Sequence, residues 1–275
     1  MHKARCQCLP LMNVVWRTLL KLATWNVNSL TVRLPHVLDW LVANQPDALC
    51  LQETKQEDSK FPYAALQEAG FNAIHNGQRT YNGVAIISPH AINEVHVDLP
   101  NFADVQKRII AATIQGVRII CAYVVNGQAL DSDKFQYKLN WLNALHDWVT
   151  DELKQHEKLA LLGDYNIAPD DRDCHDPVAW EGQVLVSPQE REAYQKLLAL
   201  GLTDSFRLFT DEAGHYSWWD YRMAAFRRDM GLRIDHILVS DALKPLCQSC
   251  LIDKLPRKLE RPSDHTPVVL TLADA

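Results

Sequence analysis

Apolar side chains recur at the three- and four-residue spacing of an amphipathic helix in three stretches of the chain. This spacing predicts helices over residues 32–43, 61–69 and 133–155, the second of them closed by Gly70. A further helix start is signalled at residues 187–190, where SPQE has the residue types of a capping box with proline at the first helical position. The chain is therefore expected to carry several amphipathic helices along its length.

Shorter apolar runs bounded by polar or turn-forming residues are typical of strands. Such runs predict strands at residues 20–25, 48–51, 83–88, 109–114, 117–125, 159–162, 216–219, 232–239, 251–253 and 268–272. Only Gln115 and Gly116 separate the fourth run from the fifth, so these two are expected to form a hairpin.

Helices and strands alternate along the chain, yet a hairpin also occurs, and this mixture favours an α/β fold with mixed sheets. We expect two such sheets to pack together with helices outside them. The chain shows no repeat, low-complexity tract or Gly/Ser linker, so one domain is expected over residues 19–275. Residues 1–18 have a short apolar stretch that Pro10 and Asn13 interrupt, and they lack a clear small-residue cleavage site. They are therefore expected to be a disordered extension rather than a signal peptide.

The composition narrows the class of protein without pointing to a partner. The 275 residues are 47% apolar and 23% charged, which is ordinary for a globular protein, and the net charge is −6. This acidic balance does not argue for nucleic acid, although a DNA-binding protein needs basic residues only where the phosphates lie. Seven cysteines, an odd number, indicate reduced thiols and a cytoplasmic protein, and the lone Cys247/Cys250 pair lacks the second pair of a zinc site. No apolar run approaches the length of a membrane span.

Polar side chains capable of chemistry follow or adjoin several of the predicted strands. They are Asn26, Asn28, Gln52, Glu53, Tyr123, Asn126, Asp164, Asn166, Asp235, Asp264 and His265. Because ligand sites in such sheets gather where strands end, we expect these side chains to converge. They offer mainly oxygen atoms, which suit a hard cation such as Mg²⁺, and Mg²⁺ prefers one or two carboxylates plus water and substrate phosphate.

Each of these residues taken alone also has an ordinary structural explanation. A carboxylate after a strand is usually a helix cap or a turn former, and Tyr123 could be a core aromatic. Asp235 is harder to explain in this way, because it lies inside the apolar run LRIDHIL and a buried carboxylate needs a partner. His265 can be that partner, since an Asp–His pair orients the imidazole. Together the residues indicate a metal-dependent hydrolase, with a phosphate ester as the suspected substrate.

Seven segments of the chain resemble the successive signatures of the exonuclease III family of apurinic/apyrimidinic (AP) endonucleases. They are TWNVNSL (24–30), LCLQETK (49–55), AYVVNG (122–127), LLGDYNIAP (161–169), YSWWDYR (216–222), GLRIDHIL (231–238) and PSDHTPV (262–268). The resemblance implies a four-layer α/β sandwich of two packed mixed β-sheets flanked by helices, the fold of deoxyribonuclease I. One departure is Val125, because many relatives have proline there.

The resemblance also implies a role for each residue that matches a motif of the family. It implies metal binding by Asn26, Glu53, Asp164, Asn166, Asp264 and His265, with Glu53 as the principal ligand. It implies catalytic roles for Tyr123, Asp164, Asn166, Asp235 and His265. It leaves open whether Asp164 or His265 takes the proton of the attacking water, and whether one metal ion or two are bound.

DNA contacts are expected from loops that flank these motifs. The candidates are Asn28 and Asn126 beside the site, Trp218 and Trp219 around an extruded abasic sugar as the resemblance implies, and the loop residues Arg222, Phe226, Arg227 and Arg228. Arg233 belongs to the same basic cluster, and Lys254, Arg257, Lys258 and Arg261 form a second one. Phe226 lies in an apolar stretch, residues 223–226, that either wedges into the duplex or anchors the loop internally.

The resulting hypothesis is a magnesium-dependent DNA-repair phosphodiesterase, with Mn²⁺ as a possible substitute for Mg²⁺. Its expected partner is double-stranded DNA, cut 5′ to abasic sites or trimmed at recessed or blocked 3′ ends, and the protein is expected to be a monomer. The balance between these activities stays open, and His175 in the loop at residues 170–186 could narrow the pocket or face solvent. The alternatives are a phosphatase or phospholipase of the same superfamily, and a non-catalytic DNA-binding relative.

Overall fold

The fold is described from a computed structural model, which covers residues 19–100 and 102–273. The extension predicted at residues 1–18 lies outside these described residues. Within them, no helix is both long enough and apolar enough to cross a membrane.

Twelve strands form two six-stranded mixed sheets. The strands are β1 (Leu19–Asn26), β2 (Ala48–Gln52), β3 (Asn72–Asn76), β4 (Val84–Ser88), β5 (Asn93–Val97), β6 (Ile109–Ile114), β7 (Val117–Tyr123), β8 (Leu159–Asp164), β9 (Leu202–Asp204), β10 (Asp235–Ser240), β11 (Cys247–Ile252) and β12 (Val268–Ala273). The first sheet has the order β11-β12-β1-β2-β4-β3, and the second has the order β5-β6-β7-β8-β10-β9. The pairs β1–β2 and β7–β8 are parallel, and the other neighbouring pairs are antiparallel.

The described part of the chain has five α-helices, and four of them cover the outer faces of the two sheets. The five helices are α1 (Leu30–Asn44), α2 (Tyr63–Glu68), α3 (Asp133–Gln155), α4 (Pro177–Trp180) and α5 (Pro188–Leu198). Buried side chains of α1 and α2 share a core with β1, β2 and β4, whereas those of α3 and α5 share a core with the second sheet. A third core lies between the sheets. The result is the expected four-layer α/β sandwich.

Alternation along single strands explains how the layers form. In β8, Ala160 and Leu162 face the core between the sheets, while Leu159 and Leu161 face the core under α3. Because successive side chains of a strand point to opposite faces, a strand that is apolar throughout is buried on both sides. The central strands therefore end at an edge where their next residues are polar, and this edge carries the candidate site.

Most predicted elements are confirmed. The helix at residues 133–155 has the predicted bounds, and the capping box at the start of α5 is present, with Ser187 and Glu190 bonded to each other's backbone. The strand predicted at residues 216–219 is wrong, because the segment makes only isolated bridges from Trp218 to Leu232 and to His265. The strands β3, β5 and β9 and the short helix α4 were not predicted.

Candidate active site

The predicted polar residues converge at one edge of the sandwich because the strands that carry them are in register there. Asn26 at the end of β1 pairs with Gln52 at the end of β2 in the first sheet. In the second sheet, Asp164 at the end of β8 pairs with Tyr123 on one side and with Asp235 on the other. The two sheets thus bring their polar strand ends together from opposite sides.

Glu53 accepts hydrogen bonds and forms an ion pair that together keep its carboxylate charged. One of its oxygens accepts hydrogen bonds from the Asn26 amide and the Tyr123 hydroxyl, both at 2.9 Å, and the other lies 2.9 Å from the Lys55 ammonium. Burial alone would raise the pKa of Glu53, but the charge of Lys55 and the bonds from Asn26 and Lys55 outweigh it and lower that pKa. Glu53 is therefore ionised, as a ligand of a metal cation must be.

Three side chains form a cluster suitable for a metal ion: Glu53, Asp164 and His265 each offer one ligand atom, and these atoms lie within 4.8 Å of one another. The Asn26 amide links the two carboxylates, donating to Glu53 and to Asp164 at 2.9 Å. Two carboxylates, completed by water and phosphate oxygens, are the donor set that Mg²⁺ prefers. The residues present therefore fit a hard divalent cation.

The remaining predicted metal ligands lie beside this cluster and are engaged elsewhere. The Asn26 amide oxygen accepts a hydrogen bond from the backbone N–H of Asn28. The two oxygens of Asp264 accept hydrogen bonds from the Asn28 amide at 2.9 Å and from the Trp218 indole at 3.0 Å. The amide oxygen of Asn166 accepts from Asn126 at 3.1 Å. In this arrangement all three predicted ligands support the cluster, and direct ligation by them stays a prediction.

His265 is held between two buried carboxylates. Its Nδ1 lies 2.9 Å from Asp235, and its Nε2 lies 3.7 Å from Asp164. Burial lowers the pKa of His265, but the charges of Asp235 and Asp164 more than offset it and raise that pKa to about 10. Burial, and after it the Asp235 charge, raise the pKa of Asp164 to about 7 against the opposing charge of His265. Two carboxylates thus compete for one imidazolium.

Asn166 and Tyr123 complete the edge of the site. The backbone N–H of Asn166 donates to Asp164 at 2.9 Å, and its side-chain amide donates to the Val124 carbonyl at 3.0 Å. Burial and the neighbouring Glu53 raise the pKa of Tyr123, so its hydroxyl is a donor. Val125, which stands where many relatives have proline, is buried in the core under α3, and Asn126 beside it is exposed.

The two tryptophans of the YSWWDYR segment have different environments. Trp218 is half-buried and donates its indole N–H to Asp264, so it lies beside the cluster. Trp219 has 0% exposed surface and packs against Tyr216 and Phe226. Trp218 can therefore line a substrate pocket, whereas the predicted DNA contact of Trp219 is not favoured, because Trp219 supports the loop from beneath.

The basic residues of the predicted DNA surface separate into exposed and buried groups. Arg222, Arg227 and Arg228 are exposed, as phosphate contacts require. Arg233 and Arg257 are 1% and 6% exposed, so including them among the phosphate contacts was wrong. A basic residue near a catalytic motif carries no sequence signal that separates a buried ion pair from a surface charge.

The loop that carries Phe226 combines exposed and anchored side chains. Phe226 is half-buried, with its ring 5.0 Å from that of Trp219 and 4.9 Å from the Arg257 guanidinium. Met223 is 71% exposed. The anchoring interpretation of Phe226 therefore gains support, and Met223 is the large apolar side chain of this stretch that is exposed to solvent.

Several supporting residues were missed by sequence reasoning. Ser217 donates its hydroxyl to Asp235 at 2.7 Å, and Arg108 lies over the Tyr123 ring at 4.7 Å. The buried Lys138 donates to the Asn166 carbonyl at 2.7 Å and pairs with Glu190. Ser217 lies within a recognised motif, which was a usable signal, whereas Lys138 lies in mid-helix, where nothing marks it. His175 is half-buried, and its backbone N–H donates to the Gly231 carbonyl at 3.1 Å.

The sequence of the chain matches one protein family over most of its length. Residues 23–265 match the endonuclease/exonuclease/phosphatase family. The chain is 34% identical over 263 residues to the exodeoxyribonuclease III of Haemophilus influenzae, a match that covers 90% of this chain and 98% of that protein.

Two solved structures extend the comparison to the fold. The 3′ phosphatase NExo from Neisseria, bound to a product DNA hairpin, is 53% identical with a TM-score of 0.90, covering 91% of this chain and 98% of that one. An AP endonuclease from Archaeoglobus fulgidus is 38% identical with a TM-score of 0.90, covering 93% and 100%. The chain therefore belongs to the endonuclease/exonuclease/phosphatase family, in its exodeoxyribonuclease III and AP endonuclease branch of DNA-repair nucleases.

Proposed function

We propose that this protein hydrolyses phosphate esters of double-stranded DNA, at 3′ ends and on the 5′ side of abasic sites, with Mg²⁺ as its cofactor. The observation that carries the proposal is the convergence of Glu53, Asp164 and His265 within 4.8 Å beside the buried Asp235. This is the arrangement that phosphate-ester hydrolysis requires: a cation site, a proton acceptor and an oriented imidazole.

Glu53 and Asp164 would hold the metal ion, with the Asn26 amide bridging their carboxylates. Mn²⁺ would substitute for Mg²⁺, because both accept carboxylate and water oxygens. When bound, the ion polarises the phosphate and offsets the charge that develops on the leaving oxygen. Lys55 would keep Glu53 ionised in the free protein.

The other side chains of the site would supply hydrogen-bond donors and a proton acceptor. Asp235 holds His265 with Nε2 toward the cluster and stabilises its positive charge, so His265 is suited to donate a hydrogen bond to a phosphate oxygen rather than to bind the metal ion directly. Asp164 is then the better acceptor for the proton of the attacking water. Tyr123 and Asn166 supply further donors at the edge of the site, and such preorganised donors stabilise charge in the transition state.

DNA would lie across the loops around this edge. Asn28, Asn126, Trp218, Arg222, Arg227 and Arg228 are the proposed contacts. Arg222 also lines a groove of about 940 Å³ together with Arg108 and Lys134, whose positive charges would favour a phosphate backbone. We also propose one catalytic domain over residues 19–275, acting as a monomer.

A cytoplasmic location is part of the proposal. The five cysteines in the part of the chain that the structure describes are Cys50, Cys121, Cys174, Cys247 and Cys250, and all five are free thiols. Free thiols persist in a reducing compartment.

Of the possible substrates, a blocked 3′ end has the strongest support, because the relative named as a 3′ phosphatase shares 53% identity with this chain. Incision at abasic sites is a second candidate, supported by the AP endonuclease at 38% identity. The named relatives are DNA-repair enzymes, which argues against a phospholipase. None of the predicted reacting groups is missing from this sequence, which argues against a non-catalytic relative.

The test uses three labelled duplexes: one with a 3′ phosphate, one with a recessed 3′ hydroxyl and one with an abasic-site analogue. Each is incubated with Mg²⁺ or with EDTA, beside Glu53→Gln as a control. Mg²⁺-dependent reaction on any duplex, lost in Glu53→Gln, supports the proposal, and the relative rates identify the preferred substrate. Absence of reaction on all three duplexes would contradict it.

A further inference from the structure

The segment around Glu53 has an unusual backbone. Glu53 and Lys55 have φ angles of +53° and +56°, in the left-handed region that residues with a Cβ rarely adopt. Four backbone hydrogen bonds hold the segment, and their partners are Ser29, Leu30, Asn82 and Gly83. Non-glycine residues persist in such a conformation only where the surroundings over-determine it. The surroundings of this segment therefore decide where the Glu53 carboxylate points.

Thr54, between these two residues, makes a side-chain contact that the backbone bonds do not account for. Its hydroxyl lies 2.8 Å from Nε2 of His75, and the imidazole of His75 stacks on Phe61 with ring centroids 4.2 Å apart. The other nitrogen of His75 lies 2.8 Å from the Asp58 carboxylate. Burial lowers the pKa of His75 to about 4 despite Asp58, so the ring is neutral and Nε2 can accept a hydrogen bond from the Thr54 hydroxyl.

Two glycines leave the space that this contact occupies. A Cβ on Gly83 would lie 2.2 Å from the Thr54 hydroxyl oxygen, and a Cβ on Gly77 would lie 2.0 Å from the His75 ring. Gly77 also donates its backbone N–H to Asp58 at 2.9 Å. A larger residue at either position would displace the side chains, so the local chain is shaped around the pair of Thr54 and His75.

The order threonine–histidine–aspartate resembles a nucleophile with its base and orienting acid. That function is excluded here, because Thr54 has 0% exposed surface and no substrate can reach its hydroxyl. The contact can instead influence Glu53, because Glu53 is the residue next to Thr54 in the chain.

We propose that Thr54 and His75, aided by Asp58, are positioning residues that hold the strained backbone of Glu53 so that its carboxylate faces Asp164 across the metal site. The inference rests on the proposed function, because it assumes that Glu53 binds a divalent cation. Its physical basis is a single neutral hydrogen bond that is completely buried, and such a bond costs most when one partner is removed. Loss of either partner should therefore loosen Glu53 and weaken metal binding.

The test is Mn²⁺ binding to the DNA-free protein, measured by electron paramagnetic resonance titration. Thr54→Val keeps the shape of the side chain but removes the hydroxyl, and Thr54→Ser keeps the hydroxyl. His75→Phe keeps the stacking on Phe61 but cannot accept the bond. Ser240→Ala is the matched control, because it removes a buried hydroxyl that bonds to Leu159 and Glu157 at the opposite end of β8 and β10.

We expect Thr54→Val and His75→Phe each to raise the Kd for Mn²⁺ by about five- to tenfold, as loss of one buried hydrogen bond predicts. The double variant should raise the Kd no further than either single variant, and Thr54→Ser and Ser240→Ala should bind as the wild type does. If Thr54→Val does not fold, His75→Phe carries the same test.

An unchanged Kd in a folded Thr54→Val or His75→Phe protein would overturn the positioning role, and so would an equal loss in Thr54→Ser. Failure of the proposed function gives a different result. In that case the wild type does not bind Mn²⁺, or Glu53→Gln binds it as well as the wild type does.

Discussion

Strand β10 adjoins two buried clusters of charge that differ in balance. The active-site cluster contains Glu53, Asp164, Asp235 and Asp264 together with His265 and Lys55, which is four carboxylates for two cationic groups. The second cluster, here called the arginine network, consists of Asp173, Asp204, Arg207 and Arg233. It has two carboxylates and two guanidinium groups, so its charges cancel.

The pKa values reflect this difference. In the arginine network, burial works against ionisation, but the charge of Arg233 outweighs it and lowers the pKa of Asp204 to about 2. In the active-site cluster, burial and Asp235 raise the pKa of Asp164 to about 7 against the opposing charge of His265. Loss of one partner from a balanced buried cluster leaves an uncompensated charge, whereas an unbalanced cluster has a charge requirement that a bound cation can meet.

The largest expected effect is the loss of activity on neutralising Asp164. Asp164→Asn removes the proposed proton acceptor and one metal ligand, so we expect kcat to fall by about 10³- to 10⁴-fold. The free energy of unfolding of Asp164→Asn should not fall, because the substitution removes one of the two buried carboxylates that compete for His265. Rates on the preferred duplex and urea unfolding of the same preparation measure both quantities. A variant with near-normal kcat would contradict the role of Asp164.

The converse is expected in the arginine network. Arg233→Met leaves Asp173 and Asp204 buried without their main partner, and breaking such a pair costs about 3–5 kcal/mol of unfolding free energy. Urea denaturation measures this loss. At a temperature where the variant is folded, kcat should change much less than in Asp164→Asn. Unchanged stability would show that the network does not hold the fold.

The pH dependence of stability should show the same network. The pKa of Asp204 is lowered to about 2 from an ordinary value of 3.8, so the folded state releases the proton more readily than the unfolded state does. This contribution is present above about pH 4 and is lost as the pH falls toward 2. Its size is on the order of 2 kcal/mol. Urea unfolding can be measured between about pH 2.5 and pH 6, which spans this window. The free energy of unfolding should depend less steeply on pH in Asp204→Asn than in the wild type.

A smaller effect is expected where Ser217 supports Asp235. Its hydroxyl donates to the Asp235 carboxylate at 2.7 Å, and it also accepts hydrogen bonds from the backbone of Ile234 and Asp235. Ser217→Ala should lower kcat by about tenfold, as expected for one hydrogen bond to a charged group. Single-turnover rates measure this change, and an unchanged rate would mean that His265 alone positions Asp235.

Most helices and strands of the four layers could be predicted from the sequence, because the spacing of apolar residues indicates which face of an element is buried. The helix at residues 133–155 alternates apolar and polar faces over its whole length, and its bounds were predicted correctly. Strand β5 is exposed along most of its length at a sheet edge, so its sequence has only two apolar residues, Val95 and Val97, and no continuous apolar run. Residues 216–219 have the apolar side chains of a short strand, yet their backbone hydrogen bonds go to Leu232, Asp264 and Thr266 rather than to a ladder. Tertiary contacts therefore override local pattern there.

The reacting residues of the candidate site could be predicted from the sequence, whereas the buried residues that surround and hold them could not. Glu53, Asp164 and His265 lie in motifs at strand ends, and the structure brings them together. Arg233 stands two residues before Asp235, and only the fold shows that it is buried against Asp173 and Asp204. Long-range ion pairs join residues far apart in the chain, so the spacing of residues along a single sequence carries no sign of them.

The central claim is that the active-site cluster has an excess of negative charge that a divalent cation relieves. Urea unfolding of the wild type and of Glu53→Gln, each with and without Mg²⁺, tests it most directly. We expect saturating Mg²⁺ to raise the free energy of unfolding of the wild type by about 2–3 kcal/mol at a hundredfold excess over Kd. Glu53→Gln should gain little. Equal stabilisation of both proteins, or none of the wild type, would contradict the account.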